Sequence, residues 1–264
     1  MEKKHYRFLL YFFVMLLVII NYPIADRLLR NFLLERQQVF VEEVIDGDTI
    51  EADGMRIRLL GINSPERGEP FYEEAKSFLE KEILNKSVEI QLGIERKDKY
   101  GRVLAYVFYH GKNLNLELVK RGLANPYFPS GQDPSYGDFV RAWEECLSSN
   151  FNLCERSSNI CSNCILLKNI NYDEQEAVLY NECNFDCELT GWQIKDEGRK
   201  KFFFPKFVLS AKSSVRIVVG NGENNEGTLF WNGEKYVWTK GGDSFFLRDD
   251  KGKLVLWKNL RTQT

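Results

Sequence analysis

Residues 44–66, VIDGDTIEADGMRIRLLGINSPE, constrain the fold more than any other stretch of this chain. Two apolar, β-branched runs flank Asp53-Gly54, a dipeptide that accepts the positive φ angles of a tight hairpin. In the returning run Arg56 and Arg58 share one face while Ile57 and Leu59 share the other, the alternation of a half-buried strand. Ser64-Pro65 ends it, because proline cannot donate to a ladder. The stretch predicts antiparallel β structure, with Asp46-Gly47-Asp48 as a bend in its first arm.

The same hairpin gathers Asp46, Asp48, Arg58, Asn63 and Glu66. Carboxylate and amide oxygens suit a hard cation. A guanidinium grips phosphate oxygens through a fork of donors. A spare carboxylate placed by a rigid Ser-Pro segment can orient or deprotonate a water. A second stretch, Asp98-Lys99-Tyr100-Gly101-Arg102, supplies another arginine. Taken singly, DGDT reads as a turn, Glu66 as a solvated loop residue and each arginine as a surface ion pair. Together they point to metal-assisted attack on a phosphate.

Further along, residues 69–84 set Phe71, Ala75, Phe78, Leu79 and Ile83 close to one helical face. Residues 88–92 and 103–109 read as strands on either side of the 98–102 turn. Residues 114–122 read as a helix closed by Gly122, and 139–147 as a third. This order predicts a small β-barrel with packed helices rather than a parallel α/β sheet. A Ser-, Asn- and Cys-rich tract at 148–163 marks a linker. Beyond it, strand-like runs at 164–167, 177–181, 192–195, 214–219, 245–247 and 254–257 alternate with glycine turns, the pattern of an all-β sandwich. The expected domains are an anchor and stalk over 1–37, a barrel over 38–150, a linker over 151–163 and a sandwich over 164–264. The 264 residues give room for two ordinary domains.

Lys3, Lys4 and Arg7 precede an unbroken apolar run over 8–20. That run makes roughly 20 Å of helix, and including residues 21–25 brings it near the ~30 Å of a hydrocarbon core. An uncleaved N-terminal anchor and a cleaved export signal both put the globular part outside the cytoplasm. Residues 26–38 read as a short amphipathic stalk. All six cysteines, Cys146, Cys154, Cys161, Cys164, Cys183 and Cys187, lie in the second half. An even count on an exported chain favours disulfides of undetermined pairing. Cys161-x2-Cys164 with Cys183-x3-Cys187 has zinc-ligand spacing as the alternative. A formal net charge of -2 excludes bulk attraction to a polyanion, so any nucleic-acid contact is local.

The segments VIDGDT, RLLGINSPE, DKYGRVLAYV and NLELVKRGLA, in this order and spacing over about 39–154, resemble those of staphylococcal nuclease and its thermonuclease relatives. The resemblance implies a five-stranded OB-type barrel with three helices and calcium-dependent cleavage of DNA and RNA, single strands favoured. It implies catalytic roles for Arg58, Glu66 and Arg102, with Glu66 as general base. Calcium would be held by Asp48, Asn63 and the Ser64 carbonyl, with Asp46 just behind. Lys99, Tyr100 and Tyr127 would contact the nucleotide. Asn63 stands where the best-known member of that family has an aspartate, so the resemblance implies one negative charge fewer in the ligand set and weaker calcium binding.

Residues 164–260 resemble a lamin-tail domain, an Ig-like sandwich, through Leu189-Thr190-Gly191-Trp192 and the Phe202–Pro205 segment. Trp192 reads as core, and Arg199-Lys200-Lys201 as a solvated hairpin tip. The expected protein is a monomeric, membrane-anchored or secreted nuclease giving 3′-phosphates. The alternative is a cell-surface protein that binds nucleic acid without cutting it.

Overall fold

In the computed structural model, which describes residues 36–129, 134–239 and 242–261 together with Tyr11, Phe13 and Met15, the chain alternates its apolar residues inward from the first strand. β1 (Arg36–Asp46) buries Val39, Val41 and Val44. It turns at residues 47–48 into β2 (Thr49–Ala52), then β3 (Met55–Leu59) and β4 (Ile62–Asn63). α1 (Tyr72–Ile83) follows, then β5 (Ser87–Lys97), β6 (Val103–Tyr109), β7 (Lys112–Asn113), α2 (Leu114–Lys120), β8 (Asn125–Pro126) and α3 (Tyr136–Ser149). The sheet order β3-β2-β1-β5-β6 closes on itself through the parallel pairing of β3 with β6, from Ile57↔Val103 to Leu59↔Ala105. This is the expected five-stranded barrel with three helices. Ile50, Ile57, Leu79 and Val107 fill it, and closure leaves none of its five strands as an open edge.

Two local expectations change. The stalk was expected to run to residue 38, but β1 starts at Arg36, because residues 36–40 find partners in β5 from Gln91 to Ser87. Tertiary pairing overrides the local helical pattern there. Likewise β5 continues to Lys97, since it serves β1 and β6 in turn. The remainder of the stalk and the apolar run lie outside the described residues, apart from Tyr11, Phe13 and Met15. Among the described residues no helix is long and apolar enough to cross a membrane.

The second half forms β9 (Ile165–Asn171), β10 (Glu176–Asn181), β11 (Cys187–Glu188), β12 (Gln193–Lys195), β13 (Lys201–Phe203) and β14 (Val208–Leu209). β15 (Ser214–Val219), β16 (Thr228–Trp231), β17 (Ser244–Arg248) and β18 (Leu254–Asn259) complete it. Two four-stranded sheets, β16-β15-β10-β9 and β13-β12-β17-β18, face each other as a sandwich, with the short pair β11-β14 beside them. Trp192, Trp238 and Phe245 fill the space between, so Trp192 is a core residue as expected. The cysteines pair as Cys146–Cys154, Cys161–Cys187 and Cys164–Cys183, leaving none free and answering the zinc alternative. Cys146–Cys154 ties the end of α3 to the turn after it, eight residues on. Chain entropy gives a loop of that size about 2–3 kcal/mol. Replacing both cysteines by alanine is expected to lower unfolding free energy by that amount in urea titrations, with a slightly steeper slope because the unfolded chain is less constrained.

The tract between the domains is not a free linker. Ser157 N–H donates to Leu254 O and Leu254 N–H to Glu155 O, so it lies along the start of β18. Trp143 on α3 meets Phe246 edge-on at 5.7 Å and Trp257 at 6.3 Å. Phe246 and Leu254 thereby join the barrel's hydrophobic cluster. Buried Asp243 accepts from Glu197 N–H and Ser244 N–H. Burial and, secondarily, the Glu197 carboxylate push its carboxyl up to about 7. A folded-state value above the ordinary ~3.9 means its contribution to stability is whole below about pH 4 and lost as pH rises through 7. Asp243→Asn keeps the acceptor and removes that loss. Its melting temperature relative to wild type is expected to rise by a few degrees between pH 4 and pH 8.

Candidate active site

The β1–β2 turn exists because Gly47 allows α1 and the 63–65 segment to close on it. A Cβ at residue 47 would sit 2.6 Å from Ala75 Cβ and 2.8 Å from Ser64 Cβ. This close approach places Asp48, 2% exposed, against residue 64. Asp48 Oδ2 accepts from Ser64 N–H at 2.9 Å and Ser64 Oγ at 3.1 Å, while Oδ1 accepts from Thr49 Oγ1. Asp46 Oδ1 accepts from Asp48 N–H at 2.9 Å. Burial first, then the Asp48 carboxylate, raises the Asp46 carboxyl. Two crowded, desolvated carboxylates form a site that a cation would relieve. The donors are all hard oxygens, which fit a calcium- or magnesium-like ion and not a soft metal.

Arg58, on β3 directly opposite Thr49, reaches the same place. Its Nη2 lies 3.1 Å from Asp48 Oδ2 and donates to Ile62 O at 2.9 Å, and its Nη1 donates to Leu59 O at 2.6 Å. The guanidinium is thus aimed by its own strand end. Asn63 Oδ1 is 3.5 Å from Arg58 Nη2, and Asn63 Nδ2 donates at 2.8 Å to Gly198 O of the second domain.

Arg102 stands on the turn between β5 and β6. Asp98 Oδ1 accepts from the Tyr100 and Arg102 N–H groups, and Asp98 Oδ2 accepts from Arg102 Nε at 2.8 Å. Burial alone would raise the Asp98 carboxyl, but these bonds from Arg102 and Tyr100 together hold it below the usual range. Tyr100 is 72% exposed, with Lys99 Nζ 5.0 Å and Arg102 5.6 Å from its ring centre. Tyr127 is half-buried, and burial raises its phenol above the ordinary value, opposed by nearby Arg58.

Arg58, Asn63, Lys99, Tyr100, Arg102 and Tyr127 all line one open cleft of about 1580 Å³. Asp46, Asp48 and Ser64 do not line it; they stand behind Arg58 and Asn63. Glu66 does not line it either. Its Oε1 lies 2.7 Å from Arg199 Nε, and Arg199 does line the cleft.

The far wall belongs to the second domain: the β12–β13 hairpin, residues 196–200, with Asp243 beneath. Sequence reasoning missed this. The 199–201 segment was expected to be a solvated tip, yet Arg199 meets Glu66 and Lys201 pairs with Glu69. The overlooked signal was the amide at residue 63, which can donate where a carboxylate cannot.

Residues 56–153 match the model of the staphylococcal nuclease homologue family, and residues 162–259 match that of the lamin tail domain. A thermonuclease of Staphylococcus intermedius is 35% identical over 130 residues, covering 46% of this chain and 77% of that protein. An uncharacterized endonuclease of Haemophilus influenzae is 35% identical over 107 residues, covering 39% of this chain and 59% of its own length. A thermonuclease of Staphylococcus hyicus is 37% identical over 98 residues, covering 33% and 58%. These alignments span less than half of this chain, and two of the three span less than two thirds of the relative. Barrel, split arginines and matched motifs agree, and the chain belongs to the staphylococcal nuclease family, with a lamin tail domain following the nuclease-type barrel.

Proposed function

We propose that this protein is a metal-dependent, sugar-nonspecific nuclease that hydrolyses phosphodiester bonds of DNA and RNA. The observation that carries the reading is the convergence of Arg58, on β3, and Arg102, on the β5–β6 turn, on one cleft whose floor backs onto the Asp46–Asp48 carboxylate pair. Two guanidinium forks on the lining of one open cleft suit a phosphodiester, and they neutralise the charge that grows on its oxygens in the transition state.

Asp48 and the Asn63 and Ser64 oxygens would hold the ion, calcium by family resemblance, with Asp46 behind Asp48, and its charge would polarise the phosphate. Glu66 takes a proton from the attacking water as the new oxygen–phosphorus bond forms. The bond to the 5′ oxygen breaks and that oxygen takes a proton from solvent water in the open cleft, giving a 3′-phosphate and a 5′-hydroxyl. Exposed Tyr100 and half-buried Tyr127 offer stacking faces to unpaired bases, which favours single strands. Three disulfides and the basic-then-apolar N-terminal sequence support action outside the cytoplasm, anchored or released.

One observation favours binding without cleavage: Glu66 is engaged by Arg199 rather than facing the cleft. Cleavage of single-stranded DNA and RNA by the full-length chain, with calcium and with a chelator, separates the two. Calcium-dependent products ending in 3′-phosphate support the nuclease. Retention of the strand with no cleavage in either condition sinks it.

A further inference from the structure

The 196–200 hairpin is held on the barrel by buried polar contacts. Asn63 Nδ2 donates to Gly198 O at 2.8 Å. Phe128 N–H donates to Glu197 Oε1 at 3.0 Å, and Arg261 clamps Glu197 with two bonds of 2.8 and 2.9 Å while also donating to Phe128 O at 2.5 Å. Asn63 and Glu197 are 3% and 4% exposed. Removing either partner would leave a buried polar group unpaired, so the tip is seated and not a waving loop. An aspartate at residue 63 would turn an oxygen toward the Gly198 carbonyl and lose the bond.

What this seating presents to the cleft is Arg199. Its side chain is 58% exposed and its only ion-pair partner among the described residues is Glu66, itself 46% exposed. An ion pair at that exposure is weak and screened by solvent. A phosphodiester offers the guanidinium fork two oxygens, as a carboxylate does, and can exchange with so exposed a partner. The weakness of the pair argues against a lock on Glu66 and for a cation waiting on substrate. Glu197 of the same tip is neutralised by Arg261, so it does not cancel the Arg199 charge. In a chain of net charge -2, each cation on the cleft wall counts.

We propose that Arg199, delivered by the lamin tail domain, is a substrate-binding residue of the cleft. It grips a backbone phosphate of the bound strand and rests on Glu66 only while the cleft is empty. The second domain is then part of the substrate site. The proposal rests on the nuclease reading for its substrate, but its test does not depend on cleavage.

A fluorescent single-stranded oligonucleotide is titrated with full-length chain in chelator at several salt concentrations, for wild type, Arg199→Gln and Arg199→Lys. Arg199→Gln is expected to weaken binding about 10-fold and to reduce the slope of log K against log salt by ~0.7, the release of one counterion contact on a single strand. Arg199→Lys, keeping the charge without the fork, should restore the slope and part of the affinity. Unchanged affinity and slope in Arg199→Gln would overturn the proposal. So would a higher kcat at unchanged affinity when metal is restored, since Arg199 would then be a brake on Glu66. Wild type that binds but never cleaves defeats the nuclease reading and leaves the Arg199 result standing; wild type that binds no strand either in chelator or in calcium defeats both.

Discussion

Arg102→Ala is expected to lower kcat on single-stranded DNA by about 10³-fold or more, the range seen when an arginine that neutralises phosphoryl-transfer charge is lost. Melting temperature should stay close to wild type. The turn that carries Arg102 is held by bonds alanine keeps: Asp98 Oδ1 to the Tyr100 and Arg102 N–H groups, and Asp98 N–H to Arg102 O. The lost side-chain pair with Asp98 is partly exposed, at 22% and 18%, so its contribution to stability is small. Arg102→Lys should fall between, because a point charge replaces a fork. An alanine variant within 10-fold of wild type would remove Arg102 from the chemistry. Arg58 is a poorer choice for this experiment. Its guanidinium also ties Leu59 O, Ile62 O and Asp48 together, so truncation would confuse catalysis with folding.

Glu66→Gln is expected to lower kcat by about 10²–10⁴-fold, the usual worth of a positioned general base. Glutamine has the shape of glutamate and still offers Arg199 an oxygen, so the hairpin contact survives in neutral form. What it loses is the ability to take a proton from water. Affinity for the single-stranded oligonucleotide should change by less than about threefold, since the residue does not line the cleft that holds the strand. A fall in affinity matching the fall in kcat would mean that Glu66 acts by positioning Arg199. Undiminished cleavage would mean that the water is activated elsewhere.

Much of the barrel could be read from local pattern. Asp53-Gly54 marks the β2–β3 hairpin, with Asp53 at φ 47° and Gly54 at φ 67° as such a turn requires. The 103–109 and 214–219 strands fall where alternation puts them. Short pieces such as β11, β13, β14 and β16 escaped. Their two to four residues carry too little periodicity, and they exist because a neighbouring strand offers partners. The site divides in the same way. Arg58 and Arg102, 44 residues apart, were recognisable as candidate phosphate ligands, and the β3–β6 pairing is what brings β3, which carries Arg58, beside β6, which follows directly on Arg102.

The sequence by itself determined the two domains, the barrel and sandwich classes, the oxygen-rich turn and the arginines that face the cleft. These follow from residue types at short spacing: turn dipeptides, alternation and the chemistry of each side chain. Only the tertiary structure decided that the amide of Asn63 donates to Gly198 O, and that Arg199 of the other domain stands beside Glu66. Those contacts join residues 135 and 133 positions apart. No local pattern encodes such a meeting, because it depends on Trp143 of the barrel packing against Phe246 and Trp257 of the second domain, which sets where the hairpin tip comes to rest.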